Sequence, residues 1–293
     1  LCHTLQPLSV RVVYDVRDHW ILRSLTADVW LDWWNRREGS LGSQAQRLLW
    51  TLAGRRKQLH PLAPTNPVSD IRFSKLYFTS ARLRELTAQQ GYDVGHGAVI
   101  HCPVDTEHFH GTPVLREPRR WLWVGRLAED KGIHTALRAL ALLKESFQGV
   151  LSIYGKGDAA YVDGLKKFAA EHHLPVSWHS ATPEQMPEVY RSHDALLFTS
   201  EWEEPFALTP LEAMSCGLPV IGTLTGGSRE LFRHADNALT YDAGDAGHLA
   251  ERILLLQNDA ELRNNITVNG HEEVRRRFAM QPIVDQVEEF LSA

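Results

Sequence analysis

"RWLWVGRLAEDKGIHTALRALALLKES", Arg120 to Ser146, is the stretch on which the fold turns. Its apolar start, "RWLWVG", predicts a buried strand, and a loop bounded by Gly125 and Gly132 follows. "IHTALRALALLKES" then places apolar residues at 133, 137, 140, 141 and 143, the spacing of one helix face. The same unit recurs downstream. "GVLSIYG" predicts a strand and "AAYVDGLKKFAAEHH" a helix; "PVSWH" predicts a strand, "PEQMPEVYRS" a short helix and "DALLFTS" a further strand. "PFALTPLEAMSC" predicts a helix beginning near Pro205 and closed by Gly217, with Pro219 beyond it and "LPVIG" as the next strand. From Asp245 onward the pattern is mostly helical. Strands alternating with helices at these lengths imply an α/β fold with a parallel, doubly wound sheet covered on both faces.

Upstream, "VRVVYDV" and "KLYFTS" read as buried strands, "ARLRELTAQQG" as a helix stopped by Gly91, and "GAVIHCPVD" as a strand ending at a proline. With 293 residues, two domains are expected. The boundary is expected in "HGTPVLREP", giving domains 1–112 and 113–293. Net charge of −5 speaks against nucleic-acid binding, but residues 1–116 carry 14 Lys/Arg against 10 Asp/Glu and residues 117–293 carry 17 against 26. Different partners for the two halves follow. Three scattered cysteines, Cys2, Cys102 and Cys216, suit a reducing compartment without structural zinc. No apolar run has the length of a membrane span, and "LCHTLQPLSV" lacks the regions of a secretion signal, so a cytoplasmic location is expected. Residue 1 is Leu, and a truncated chain is expected from that.

Ligands of parallel sheets bind outside the carboxyl ends of the strands, where this sequence places "GRLAEDKG", "GKGD", "HSATP", "SEWEEPF" and "TLTGGSRE". Arg126 offers a fork of donors and Lys131 a compact charge, and five residues apart both could reach one diphosphate. Taken alone, an Arg and a Lys in a loop are more often solvated surface charges. A helix starting near Pro205 would leave the backbone N–H groups of Phe206, Ala207 and Leu208 free to receive an anion. Glu204 precedes that turn, and Glu212 falls on the face of Leu208, able to accept from two adjacent ribose hydroxyls. Glu201 and Glu203 read either as ligand groups or as acids that favour the helix dipole. Glu212 lies among Leu208, Leu211, Ala213 and Met214, where an unpaired carboxylate is costly.

Together these stretches resemble the retaining nucleotide-sugar glycosyltransferases of family 4, which have the GT-B fold of two facing Rossmann-like domains. The E-x7-E motif matches at Glu204 and Glu212, "VGRLAEDKG" resembles the family's phosphate loop, and "GKGD" and "TGGSRE" resemble its later donor-side loops. "FTSARLRELTAQQGY" and "VIHCPVDTEHF" resemble the close of its N-terminal domain. The resemblance implies a hexose transferred from a nucleotide sugar, a co-substrate rather than a cofactor, to a saccharide, lipid-linked or small-molecule acceptor with retention of configuration. It implies a diphosphate site at Gly125, Arg126, Lys131 and the backbone of Phe206, Ala207 and Leu208, a ribose site at Glu212, and Glu204 as the catalytic carboxylate facing the sugar. No D-x-D motif is present to hold a divalent metal, so cations and a helix start would stabilise the leaving diphosphate. The last helix, about 281–293, is expected to pack back on the N-terminal domain.

The sequence departs from the family at Ala207, where glycine is usual, and at Cys102-Pro103, where an Asn-Gly pair is common. The front domain also lacks a glycine-rich loop after a first strand, and it is expected to be partly missing. Asp18 and His19 are acceptor-side candidates at the end of "VVYDVRDHW", or else cap that turn. Segment 20–62 holds five of the nine tryptophans and the basic "RLLWTLAGRRKQL", which fits buried packing or contact with the inner membrane face. The competing functions are a sugar-nucleotide epimerase or phosphorylase on the same fold, and a non-catalytic nucleotide-sugar-binding protein. A dehydrogenase is disfavoured because no G-x-G-x-x-G follows a strand.

Overall fold

The computed structural model describes residues 13–17, 73 and 75–293. They divide into two compact units, the described part of Leu1–Tyr77 with Leu83–Ala98, and Phe78–Arg82 with Val99–Ala293. The earlier part of the chain contributes β1 (Tyr14–Val16), β2 (Leu76–Phe78) and β3 (Ala98–Val99), paired in that order, and α1 (Ala81–Gln89). Gly91, at φ +89°, follows the helix as expected. The strand expected over "GAVIHCPVD" is regular for two residues, after which the chain runs on as loop.

The second unit is built on β4 (Arg120–Val124), β5 (Val150–Tyr154), β6 (Val176–His179), β7 (Ala195–Phe198), β8 (Val220–Thr223) and β9 (Leu239–Tyr241). They form one sheet in the order β6-β5-β4-β7-β8-β9, and every pair is parallel. Helices α2 (Ile133–Leu143), α3 (Ala159–Glu171), α4 (Met186–Arg191), α5 (Leu208–Ser215), α6 (Ala246–Asn258), α7 (Ala260–Glu273) and α8 (Met280–Ser292) accompany it. The sequence predicts this alternation. It does not predict β9, whose three residues, "LTY", are too few for a period to show.

Side chains of successive strand residues point to opposite faces, so each strand feeds two cores. Trp121 and Trp123 pack with Leu151, Ile153 and Ile221 under α2 and α6, while Leu122 packs with Leu196, Phe198 and Val220 under α4 and α5. Each fully buried side chain of this size contributes about 1.5–3 kcal/mol relative to exposure. Val104 and Val114 join the second of these cores, and the Val114 N–H donates to Gly217 O at 2.8 Å. Val104, ahead of the "HGTPVLREP" stretch, and Val114, within it, are thus anchored to the second unit. Strands run outward from β4 in both directions, which puts the topological switch point between β4 and its neighbour β7.

The predicted start of α5 needs correction. The helix begins at Leu208, not near Pro205. Pro210 supplies the reason, since it has no N–H and its ring collides with the carbonyl four residues back in a helix interior. In a helix from Leu208 it lies in the first turn, where no donor is required.

Candidate functional site

Trp123, on β4, sits deep in the core with an indole N–H that needs a partner. It donates to Thr199 Oγ1 at 2.8 Å, and Thr199 donates in turn to Lys131 O at 2.8 Å. This chain ties the ends of β4 and β7 to the loop that carries Lys131. Gly132 completes the join at φ +65°, where a Cβ would lie 1.9 Å from Thr199 O. Only glycine fits there.

Lys131, held in this way, directs its Nζ to Glu204 Oε1, and Ser200 Oγ donates to the same oxygen at 2.7 Å. Lys131 Nζ also lies 5.2 Å from the centre of the Trp202 ring. Both side chains of the ion pair are largely shielded, with 21% and 11% exposure, so the pair is weakly screened. Arg126 occupies the other end of the loop, where it donates to Asp130 Oδ2 at 2.7 Å and is mostly exposed. Gly125 donates its N–H to Tyr154 O at 3.1 Å, which joins the loop to the end of β5.

Glu204 is fixed from behind by the "TGGSRE" loop. Gly227 N–H donates to Glu204 O at 2.7 Å, and Gly226, at φ +53°, approaches so closely that a Cβ would sit 2.0 Å from the same oxygen. Glu203 turns away toward Arg82, which reaches it at 3.0 Å, and burial only partly offsets the lowering of its pKa by that arginine. Glu201 accepts from Thr135 Oγ1 at 2.5 Å and lies 3.4 Å from His134 Nε2. These two acids therefore have protein partners that differ from those of Glu204. Glu230 accepts from the N–H groups of Ala81 and Arg82, each at 3.1 Å, and from His101 at 3.0 Å.

The start of α5 lies just beyond Glu204. Ala207 is its N-cap and no side chain caps it. With the start moved to Leu208, the unpaired donors are those of Ala207, Leu208 and Thr209, because Phe206 lies ahead of the turn and Pro210 has no N–H. Phe206 is buried, its ring 5.0 Å from that of His101 and 5.7 Å from that of Phe278. Ala207 adopts φ −85°, ψ 112°, which any residue can take, and its side chain is buried in the core. Glycine is not required there. One turn on, Glu212 follows the 46%-exposed Leu208 along the same helix face. Its Oε2 accepts from the fully buried Tyr190 hydroxyl at 2.6 Å. Burial pushes the Glu212 carboxyl above its usual range, while Tyr190 and His108 act in the opposite direction.

The fold thus brings together Lys131, Glu204, the α5 start and Glu212 at the carboxyl end of the sheet. Tyr190, Ser200, Trp202 and Thr199 are additions that sequence reasoning did not name. One signal existed for Tyr190, since a carboxylate among apolar neighbours requires a buried donor. Asp18 and His19, and segment 20–62, lie outside the described residues. Among the described residues, no helix is long and apolar enough to cross a membrane.

Residues 105–273 match the family model described as glycosyl transferases group 1. The chain is 29% identical over 228 residues to spore coat protein SA of Bacillus subtilis (strain 168), covering 72% of this chain and 59% of that protein. It is 36% identical over 105 residues to N-acetyl-alpha-D-glucosaminyl L-malate synthase of Bacillus anthracis, covering 36% of this chain and 27% of that one. It therefore spans less than two thirds of the length of either relative. The structure superposes on Anabaena HepE in complex with UDP with a TM-score of 0.74 at 20% identity, over 99% of this chain and 74% of that one. The same Anabaena protein in complex with UDP-glucose gives 0.73 at 22%, over 99% and 74%. The fold is that of the GT-B glycosyltransferases, and the chain belongs to the group 1 glycosyl transferase family.

Proposed function

We propose that this protein transfers a hexose from a nucleotide sugar to a saccharide, lipid-linked or small-molecule acceptor, with retention of configuration and without a metal ion. The carrying observation is the convergence of Lys131, Glu204, an uncapped helix start and Glu212 beside the switch point of a parallel sheet. In this reading Glu212 receives the ribose hydroxyls, and Lys131, Arg126 and the Ala207–Thr209 donors receive the diphosphate. Glu204 orients the sugar and holds Lys131 in place.

Chemically, the bond that breaks joins the anomeric carbon to the diphosphate oxygen. The acceptor hydroxyl forms the new bond from the same face, and a phosphate oxygen takes its proton. Lys131 and the helix-start N–H groups stabilise the charge left on the diphosphate, a role that fixed donors perform without reorganisation. UDP and UDP-glucose occupy the HepE structures, which makes UDP-sugars the first donors to test. A cytoplasmic location, with acceptor at the inner membrane face, accords with this chemistry.

Calorimetry tests the donor site. Lys131→Ala and Glu212→Ala are each expected to weaken binding of the nucleoside diphosphate at least tenfold, and unchanged affinity in both overturns the reading. Transfer itself is tested by nucleotide release that depends on acceptor and persists in EDTA, with an NMR assignment of the product anomer. Donor binding without turnover against any acceptor would favour the non-catalytic alternative.

A further inference from the structure

We infer that Tyr190 is a positioning residue that sets the preference of this site for a ribonucleotide, acting through the Glu212 carboxylate. The inference rests on the assignment of Glu212 to the ribose.

Tyr190, on α4, is 0% exposed, and its ring packs edge-on to Phe109 with centroids 5.8 Å apart. Burial and this ring contact thus fix where its hydroxyl points, because the ring cannot move without opening the core. Burial, followed by the Glu212 charge, holds the phenol far above its ordinary pKa, so it donates and does not ionise. Among the described residues it is the one hydrogen-bond donor to the Glu212 side chain. A carboxylate has two oxygens and about four acceptor positions. Tyr190 occupies one position on Oε2, which leaves Oε1 and the remaining position for a pair of adjacent hydroxyls. It also opposes the burial that favours the neutral acid, which has a proton on one oxygen and fewer acceptor positions. Thr209 beside the phenol, His108 facing the carboxylate, and Cys216 near both complete the polar surroundings, with Arg191 next to Cys216.

The physical consequence is selective. Without the phenol oxygen, the carboxylate loses its fixed orientation and the larger of its two counterweights to burial, with only His108 left to oppose it. A ligand that uses both ribose hydroxyls loses affinity, whereas one without them does not.

The test uses the full chain and whichever of UDP, GDP, ADP or CDP raises its melting temperature most, alongside the 2′,3′-dideoxy form of the same nucleotide. Tyr190→Phe removes one oxygen and keeps the ring. By calorimetry it is expected to raise Kd for the ribonucleotide about tenfold, the scale of one charge-assisted hydrogen bond, and that for the dideoxynucleotide less than about twofold. The ribonucleotide defect should grow as pH is lowered, because Glu212 gains its proton earlier than in the parent. Tyr190→Phe placed on Glu212→Ala should add nothing further. Equal weakening of both nucleotides would make Tyr190 a packing residue only and overturn the inference. So would an unchanged Tyr190→Phe beside a weakened Glu212→Ala. If Glu212→Ala itself leaves ribonucleotide affinity intact, or no nucleotide stabilises the chain, the ribose assignment falls as well.

Discussion

Glu212 shows at the scale of one residue what burying a carboxylate costs in stability. Its folded pKa is raised by burial above that of the unfolded chain, so the native state binds the proton more tightly. Its contribution to stability is therefore fully present below about pH 4.3, the unfolded value, and is lost as pH rises through the folded value. Glu212→Gln removes that loss. Scanning calorimetry should find the variant as stable as the parent near pH 4 and more stable at pH 7, although its nucleotide affinity is lower. A variant that is less stable at pH 7 would mean that the Tyr190 bond outweighs burial.

Glu204 differs in kind, since it has a cation and a hydroxyl on one oxygen. Glu204→Gln keeps its shape but removes the charge that positions Lys131. Turnover is expected to fall by two orders of magnitude or more, on the scale typical of lost electrostatic groups. Steady-state kinetics separates this from a change in donor binding.

Among elements, the join between β4, β7 and the Lys131 loop carries the site. Thr199→Val leaves the Trp123 indole N–H buried without an acceptor and releases Lys131 O, at a cost of about 1–3 kcal/mol. Urea unfolding should record that loss, and calorimetry a weaker nucleotide complex. Gly132→Ala is expected to cost about 3 kcal/mol or more, because it combines a left-handed backbone with a Cβ driven into Thr199 O. The alternation of strands and helices was legible from local periods, since Trp121, Leu122 and Trp123 alternate between two cores whatever their neighbours are. Helix α5 was legible except for its start. Pro210 was in view, but the rule it obeys depends on which turn it occupies, and the run of apolar residues from Pro205 hid that choice.

At the scale of the whole molecule, part of the acid stability comes from carboxylates other than the site pair. Asp194 accepts from the backbone of Arg119 and Arg120 and from the side chains of Arg116 and Arg120, at the opposite end of β4 from Lys131. Burial opposes its ionisation, but these bonds prevail and lower its pKa. Glu273 is likewise lowered against burial by Arg233, Asn237 and Arg277. Stability from both is present above about pH 4.5 and is lost as pH falls through their depressed values. The sign is the reverse of that for Glu212. Asp194→Asn should cost about 2 kcal/mol at pH 7 and progressively less toward pH 3, as urea titrations at each pH would show.

The sequence by itself determined the parallel α/β layering, the helices that cover it, and the spacing that puts Glu204 before α5 and Glu212 on it. Those features depend on residues within one strand or one helix turn, where covalent geometry sets the period. Only the tertiary structure decided that Lys131 meets Glu204 across 73 residues, that Tyr190 meets Glu212 across 22, and that Gly226 pins the backbone of Glu204. The first of those meetings requires β4 to lie beside β7, the second that the helices before and after β7 share one face of the sheet, and the third that β7 lies beside β8, an arrangement that burial of both sheet faces selects and no local pattern encodes.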